Sequence, residues 1–173
     1  GYMDAEGFLY LSGRAKDLII RSGHNIDPEL IEEPLNAHPK VVTSIAIGLP
    51  DPYAGELPMA YVVKVANSSL SEQDLIDHCA KTMSERAAIP KRIEFIDAMP
   101  LTAVGKIFRP TLRQKISEQV IRELLAKEEI AADVSSDLEK KRGLVLRIDV
   151  TDKAKIDAVN KLVEGYIFTS EVN

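Results

Sequence analysis

Apolar and polar positions along this chain switch between two periods, and the switches mark out short strands and amphipathic helices. Phe8-Leu9-Tyr10-Leu11 and Leu18-Ile19-Ile20-Arg21 are short β-rich runs, separated by Ser12-Gly13-Arg14-Ala15-Lys16-Asp17, which is too polar to continue either. The two runs are expected to pair as a small ribbon. Asp27-Pro28-Glu29 then opens a helix ending at Ala37: Asp27 caps free amides, Pro28 suits the first turn, and Leu30, Ile31, Pro34 and Leu35 fall on or near one face. Val41–Leu49 and Pro58–Val65 are β-branched strands joined by a turn-rich connection over 50–56. Ser71-Glu72-Gln73-Asp74 starts a second helix, and Arg92–Ile96 is a third core strand.

The order βαββαβ implies an α+β fold, a small sheet with helices packed on it and an N-terminal β-ribbon. Beyond Thr111, Leu112, Ile116, Val120, Ile121, Leu124 and Leu125 recur at helical spacing and predict an amphipathic helix over 111–129. Residues 131–137 read as a linker. Leu144, Leu146, Ile148 and Val150 then alternate as in a strand, Asp152 caps a helix presenting Ile156, Val159, Leu162 and Val163, and 166–169 is a last short strand. This C-terminal β-α-β extension is expected to pack on the sheet, with a distinct partner-binding module as the alternative. The expected division is 1–115 for the first domain and 116–173 for helix, linker and extension.

With 173 residues, 45% of them hydrophobic and 28% charged, the chain has room for one domain and an appendage. Its net charge of −5 argues against a nucleic-acid surface, and the longest basic run, Lys140-Lys141-Arg142, reads as a solvated linker. No apolar run approaches the roughly 20 residues of a membrane helix, and the N-terminus has no basic stretch followed by an apolar one. The single cysteine, Cys79, cannot form an internal disulfide, which fits a reducing cytoplasm, and its helical context suits a packing residue. His24, His38 and His78 lack metal-ligand spacing, so no metal site is expected.

The candidate chemistry lies at Pro100-Leu101-Thr102-Ala103-Val104-Gly105-Lys106-Ile107, where one lysine stands on a glycine-hinged loop just after a strand. A compact ammonium on a flexible stem suits an oxyanion or phosphate. Taken alone, a Gly-Lys pair in a loop is a solvated turn. About eighty residues upstream, however, stand Gly13-Arg14-Ala15-Lys16-Asp17-Leu18-Ile19-Ile20-Arg21-Ser22-Gly23-His24-Asn25-Ile26-Asp27-Pro28 and then Ile31-Glu32-Glu33. Both stretches resemble motifs of the adenylate-forming enzymes, the superfamily of acyl-CoA synthetases, peptide-synthetase adenylation domains and luciferases. The resemblance covers roughly residues 1–115 and implies the small C-terminal, mobile domain of such an enzyme, with a large N-terminal AMP-binding domain as its partner.

What the resemblance implies can be assigned residue by residue. Lys106 is the catalytic lysine of acyl-adenylate formation, on a loop that Gly105 lets approach closely. Lys16 is the hinge about which the domain rotates, and Arg14 reaches the ribose of the nucleotide. After rotation Ser22, Gly23 and His24 line the tunnel for the CoA thiol, Gly23 because a side chain there would block the pantetheine. His24-Asn25 departs from members carrying Arg or Lys, so a CoA phosphate contact stays unassigned; Lys91 and Arg92 read as a solvated strand-entry pair, with a substitute phosphate contact as the alternative. Glu32 is expected to serve helix packing or a salt bridge. ATP and CoA are the implied substrates, with Mg2+ accompanying ATP and held mainly by the N-terminal domain. The implied activity is an AMP-forming acyl-CoA ligase for a fatty acid, since Ile26-Asp27-Pro28, Ala88-Ile89-Pro90-Lys91 and Leu101–Phe108 look most like fatty-acyl ligases. An amino-acid adenylation subdomain and a non-catalytic binding module are the alternatives. The 173 residues are expected to be an excised domain or fragment, inactive alone.

Overall fold

The computed structural model describes residues 2–10 and 15–173. The described residues fall into two compact units, one drawn from Gly1–Gly48 and Pro58–Asp97, the other from Leu49–Leu57 and Ala98–Asn173.

In the first unit, β1 (Tyr2–Met3) pairs antiparallel with β2 (Leu9–Tyr10) through Tyr2↔Tyr10 and Met3↔Leu9. Among the described residues, the 8–11 run, whose Leu11 lies outside them, thus pairs with Tyr2–Met3 and not with 18–21 as the sequence suggested. That run becomes β3 (Ile19–Arg21), and it pairs with β4 (His24–Ile26) instead. The local turn decides the matter. Ser22 and Gly23 both have positive φ, 50° and 81°, the backbone of a two-residue hairpin loop that matches strand twist.

Helix α1 (Glu29–Asn36) begins where Asp27 Oδ1 accepts the Glu29 amide at 3.1 Å. Strands β5 (Val41–Asp51) and β6 (Gly55–Lys64) follow, longer at their facing ends than the sequence suggested. Helix α2 (Glu72–Thr82) starts on a capping box in which Ser71 Oγ accepts the Asp74 amide and Asp74 accepts the Ser71 amide. It crosses over to β7 (Arg92–Phe95), which lies parallel to β6 from Met59↔Arg92 to Val62↔Phe95. The sheet runs β4-β3-β6-β5, with β7 also on β6. One core joins Ile19 and Ile26 from the hairpin, Ile31 and Leu35 from α1, Ala60 and Val62 from β6, and Leu75 and Cys79 from α2.

Strand β5 lies at the end of this order, where unpaired amides would invite further strands. Side chains of α1 occupy that edge. Asn36 Oδ1 accepts the Ser44 amide at 2.8 Å and Glu32 Oε1 accepts the Ala46 amide at 2.8 Å. Glu32 thus ties helix to sheet.

In the second unit, α3 (Arg109–Lys127) buries Leu112, Ile116, Ile121 and Leu125, at the expected spacing. Residues 131–137 are not a linker: β8 (Ala132–Glu139) pairs antiparallel with β9 (Gly143–Val150) along its whole length. Lys140-Lys141-Arg142 is the turn between them. After a 3-10 turn at Lys153–Lys155, with Asp152 accepting the Ala154 amide, α4 (Ile156–Val163) crosses over to β10 (Thr169–Val172). The last strand lies three residues later than its aromatic-rich run suggested, and it pairs with β9 in parallel from Thr169↔Val145 to Val172↔Ile148. The extension therefore builds its own three-stranded sheet, β10-β9-β8, over a separate core that includes Ile121, Leu125, Val134, Leu146, Ile148, Val159 and Val163.

Candidate functional site

The lysine loop closes on itself. Leu101 and Ile107 form an isolated antiparallel bridge, and the Phe108 amide donates to the Pro100 carbonyl at 2.8 Å. Inside that bridge the Gly105 amide donates to the Thr102 carbonyl at 2.9 Å, and the Thr102 amide donates to the Lys106 carbonyl at 2.7 Å. The Lys106 amide donates to Thr102 Oγ1 at 3.1 Å. Ala103, Val104 and Gly105 thus make a three-residue loop ending in a glycine at φ 76°, a conformation that costs glycine little. Lys106 follows it, exposed. Leu101 and Val104 in the same loop are exposed as well. Thr102 was not singled out from the sequence; its position four residues ahead of the lysine is the signal, since a short hydroxyl side chain bonds nearby backbone amides.

The second group belongs to the first unit. Ser22 and Gly23 are the tip of the β3–β4 hairpin, and His24 is the first residue after it. A Cβ built on Gly23 would meet nothing within 4 Å, so within this chain the glycine answers to its φ of 81° and not to a close neighbour. His24 Nε2 lies 2.7 Å from Glu85 Oε1. The cross-strand partner of His24, Arg21, donates from Nη1 to the Ala87 carbonyl at 2.7 Å. Both strands of the hairpin are therefore fastened to the segment after α2, which turns through a 3-10 element at Arg86–Ala88. Glu85 was not anticipated, and nothing in its spacing marks it, because the pairing spans 61 residues.

Lys16 is exposed in the middle of a 3-10 turn, Ala15–Asp17. Arg14 lies outside the described residues. Arg92 is engaged by Glu94 at 2.7 Å, whereas Lys91 is exposed. The candidates form two groups, Lys106 with Gly105 in one unit, and Lys16, Ser22, Gly23 and His24 in the other.

Cys79 is fully buried among apolar neighbours, and burial pushes its thiol up to about 11, away from the thiolate a nucleophile needs. Among the described residues no group of three or more His, Cys, Asp or Glu side chains is placed to hold a metal ion, and no helix is long and apolar enough to cross a membrane.

Residues 30–106 match the family described as the AMP-binding enzyme C-terminal domain, with Lys106 the last residue matched. Over 138 residues the chain is 45% identical to the marinolic acid–CoA ligase of Pseudoalteromonas sp. (strain SANK 73390), a match that covers 80% of this chain and 21% of that protein. The fatty acyl CoA synthetase of Mycobacterium tuberculosis superposes with a TM-score of 0.59 at 38% identity, covering 68% of this chain and 23% of that one. The o-succinylbenzoate CoA synthetase of Bacillus subtilis, in complex with its acyl-adenylate intermediate, superposes with a TM-score of 0.59 at 36% identity, covering 65% and 23%. The chain spans between a fifth and a quarter of the length of these relatives.

Proposed function

Residues 30–106 belong to the AMP-binding enzyme C-terminal domain family, and from that premise we propose that the chain acts as the mobile C-terminal domain of an AMP-forming acid–CoA ligase. The substrates are ATP, CoA and a carboxylic acid, and the partner is a large N-terminal AMP-binding domain that also holds Mg2+ with ATP. In the first half-reaction the carboxylate attacks the α-phosphorus of ATP, giving the acyl-adenylate and pyrophosphate. Negative charge grows on the oxygens about phosphorus, and Lys106 supplies the ammonium that stabilises it. In the second, the domain turns about Lys16, Lys106 withdraws, and the hairpin tip at Ser22-Gly23-His24 borders the path of the CoA thiol, which displaces AMP. Arg14 reaches the ribose. A fatty acid is the proposed acid, supported by the similarity to a fatty acyl CoA synthetase, and the cytoplasm is the proposed setting.

The observation that carries this reading is the lysine hairpin: a single exposed ammonium at the end of a narrow loop in which the Thr102, Gly105 and Lys106 amides are bonded within the loop. Those three amides need no partner from a second domain when the loop meets one. The test is Lys106→Ala in the full-length enzyme carrying this chain, with the half-reactions measured separately. Adenylation falls about 10²–10³-fold, the worth of one such donor, and transfer from supplied acyl-adenylate falls far less. Equal losses in both half-reactions refute the conformation-specific role.

A further inference from the structure

The β3–β4 hairpin carries a hydrogen-bonded pair that the two half-reactions above leave unused. Glu85 Oε1 stands 2.7 Å from Nε2 of His24, so with the carboxylate ionised the shared hydrogen sits on Nε2 and the lone pair of the neutral ring on Nδ1. The ring is 57% exposed, and Glu85 34%. Its mount is stiff for a surface group. The turn before it uses two consecutive positive-φ residues, and the opposite strand is tied by Arg21 to the segment that provides Glu85. Of the neighbouring charged groups, Glu85 holds the ring, and Arg21, its cross-strand partner, turns its guanidinium to the Ala87 carbonyl. An imidazole with one nitrogen held by a carboxylate, on a ring more than half exposed, is the arrangement of a general base.

We propose that His24, oriented by Glu85, removes the proton from the CoA thiol in the second half-reaction. The thiol S–H bond breaks and its proton passes to His24 Nδ1. The sulfur forms the C–S bond to the acyl carbon of the adenylate, the bond from that carbon to the phosphate oxygen breaks, and AMP leaves with the electron pair. The imidazolium then returns its proton to water, so no further reactant is needed. Near neutral pH a free thiol ionising at about 8.5 is mostly protonated, which is why a base matters to this step. The inference rests on the ligase reading and deepens it, because it gives the hairpin tip a chemical role beyond lining a path.

The decisive measurement is single-turnover transfer from supplied acyl-adenylate to CoA by the full-length enzyme, between about pH 6 and about pH 9.5, bracketing the thiol's own ionisation. His24→Gln slows transfer by about 10²-fold near neutrality, and the deficit closes as pH rises past about 8.5, where the thiol ionises unaided. His24→Ala regains rate on addition of imidazole, and Glu85→Gln gives a smaller loss. A deficit of equal size at every pH, without response to imidazole, makes His24 a shaping residue of the turn and overturns the proposal; so does an unimpaired His24→Gln. Independent of any variant, the ring ¹⁵N shifts of the 173-residue chain should show the hydrogen on Nε2, and a ring protonated on Nδ1 refutes the arrangement. If the wild-type enzyme transfers no acyl group to CoA, the ligase reading itself fails; if it does and the His24→Gln profile runs parallel to wild type, only the base role fails.

Discussion

Replacing Gly105 by alanine separates the shape of the lysine loop from the charge it carries. Gly105 has φ 76°, in the left-handed region, and a Cβ there would meet nothing within 4 Å. Crowding therefore contributes nothing, and the whole cost is the intrinsic penalty of a left-handed residue with a Cβ, about 1–2 kcal/mol. The loop is exposed and held by its own bonds, those of Thr102 to Gly105 and Lys106, so the strain is relieved by reshaping the hairpin and not by unfolding the unit. A penalty of that size lowers the population of the native turn by a factor of about 5–30. Adenylation, read as ATP–pyrophosphate exchange by the full-length enzyme, should fall by no more than that and by less than in Lys106→Ala, while the melting temperature hardly moves. Gly105→Asn should lose less than Gly105→Ala, because asparagine visits the left-handed region more readily. If alanine and asparagine lose equally, or neither loses anything, the geometry of this turn does not set the position of Lys106.

Lys16→Pro fixes φ in the proposed hinge; adenylation should persist and thioester formation fail in half-reaction assays with a melting control, and wild-type rates in both steps would remove Lys16 from the mechanism. Cys79, buried and with its thiol pushed up to about 11, should resist an aromatic disulfide reagent in the native chain and react at once in denaturant; rapid native labelling would contradict its burial. His38 sits below the ordinary imidazole value of 6.5, chiefly because it is drawn out of water, with His78 and Lys40 adding to the effect and Asp74 opposing it. The folded chain thus favours the neutral ring, so the stability His38 contributes is present above pH 6.5 and lost as pH falls below it. His38→Gln should flatten the decline in melting temperature on that acid side, and an unchanged slope would show that other groups drive it.

Much of the fold follows from local rules that a sequence states directly. The Ser71–Asp74 capping box, Asp27 at the head of α1 and the helical spacing from Leu112 to Leu125 reappear as drawn, because caps and amphipathic faces are short-range chemistry. Pairing is another matter. Residues 8–11 and 18–21 looked like partners, but the chain had nearer choices, Tyr2–Met3 for one and His24–Ile26 for the other. Strand β8 was invisible because its inward positions include Ser136, a poor strand former by composition. Three tertiary bonds compensate: Ser136 Oγ donates to Glu118 at 2.7 Å, the Ser136 carbonyl accepts from Gln114 at 3.2 Å, and the Val134 carbonyl accepts from Arg122.

The candidate chemistry divides along the same line. The run of residues from Gly13 to Pro28 and the octet ending at Ile107 carry their resemblance in the order of side chains, so Lys106, Lys16, Arg14 and the Ser22–His24 tip could be put forward as candidates from that resemblance. That Gly23 and Gly105 serve backbone turns at positive φ, that Thr102 holds the lysine hairpin and that Glu85 reaches back across 61 residues to His24 are facts of folded geometry. Motifs are contiguous and survive in one dimension, whereas a carboxylate brought to an imidazole by a crossover helix exists only once the core of Ile26, Leu75 and Cys79 has packed.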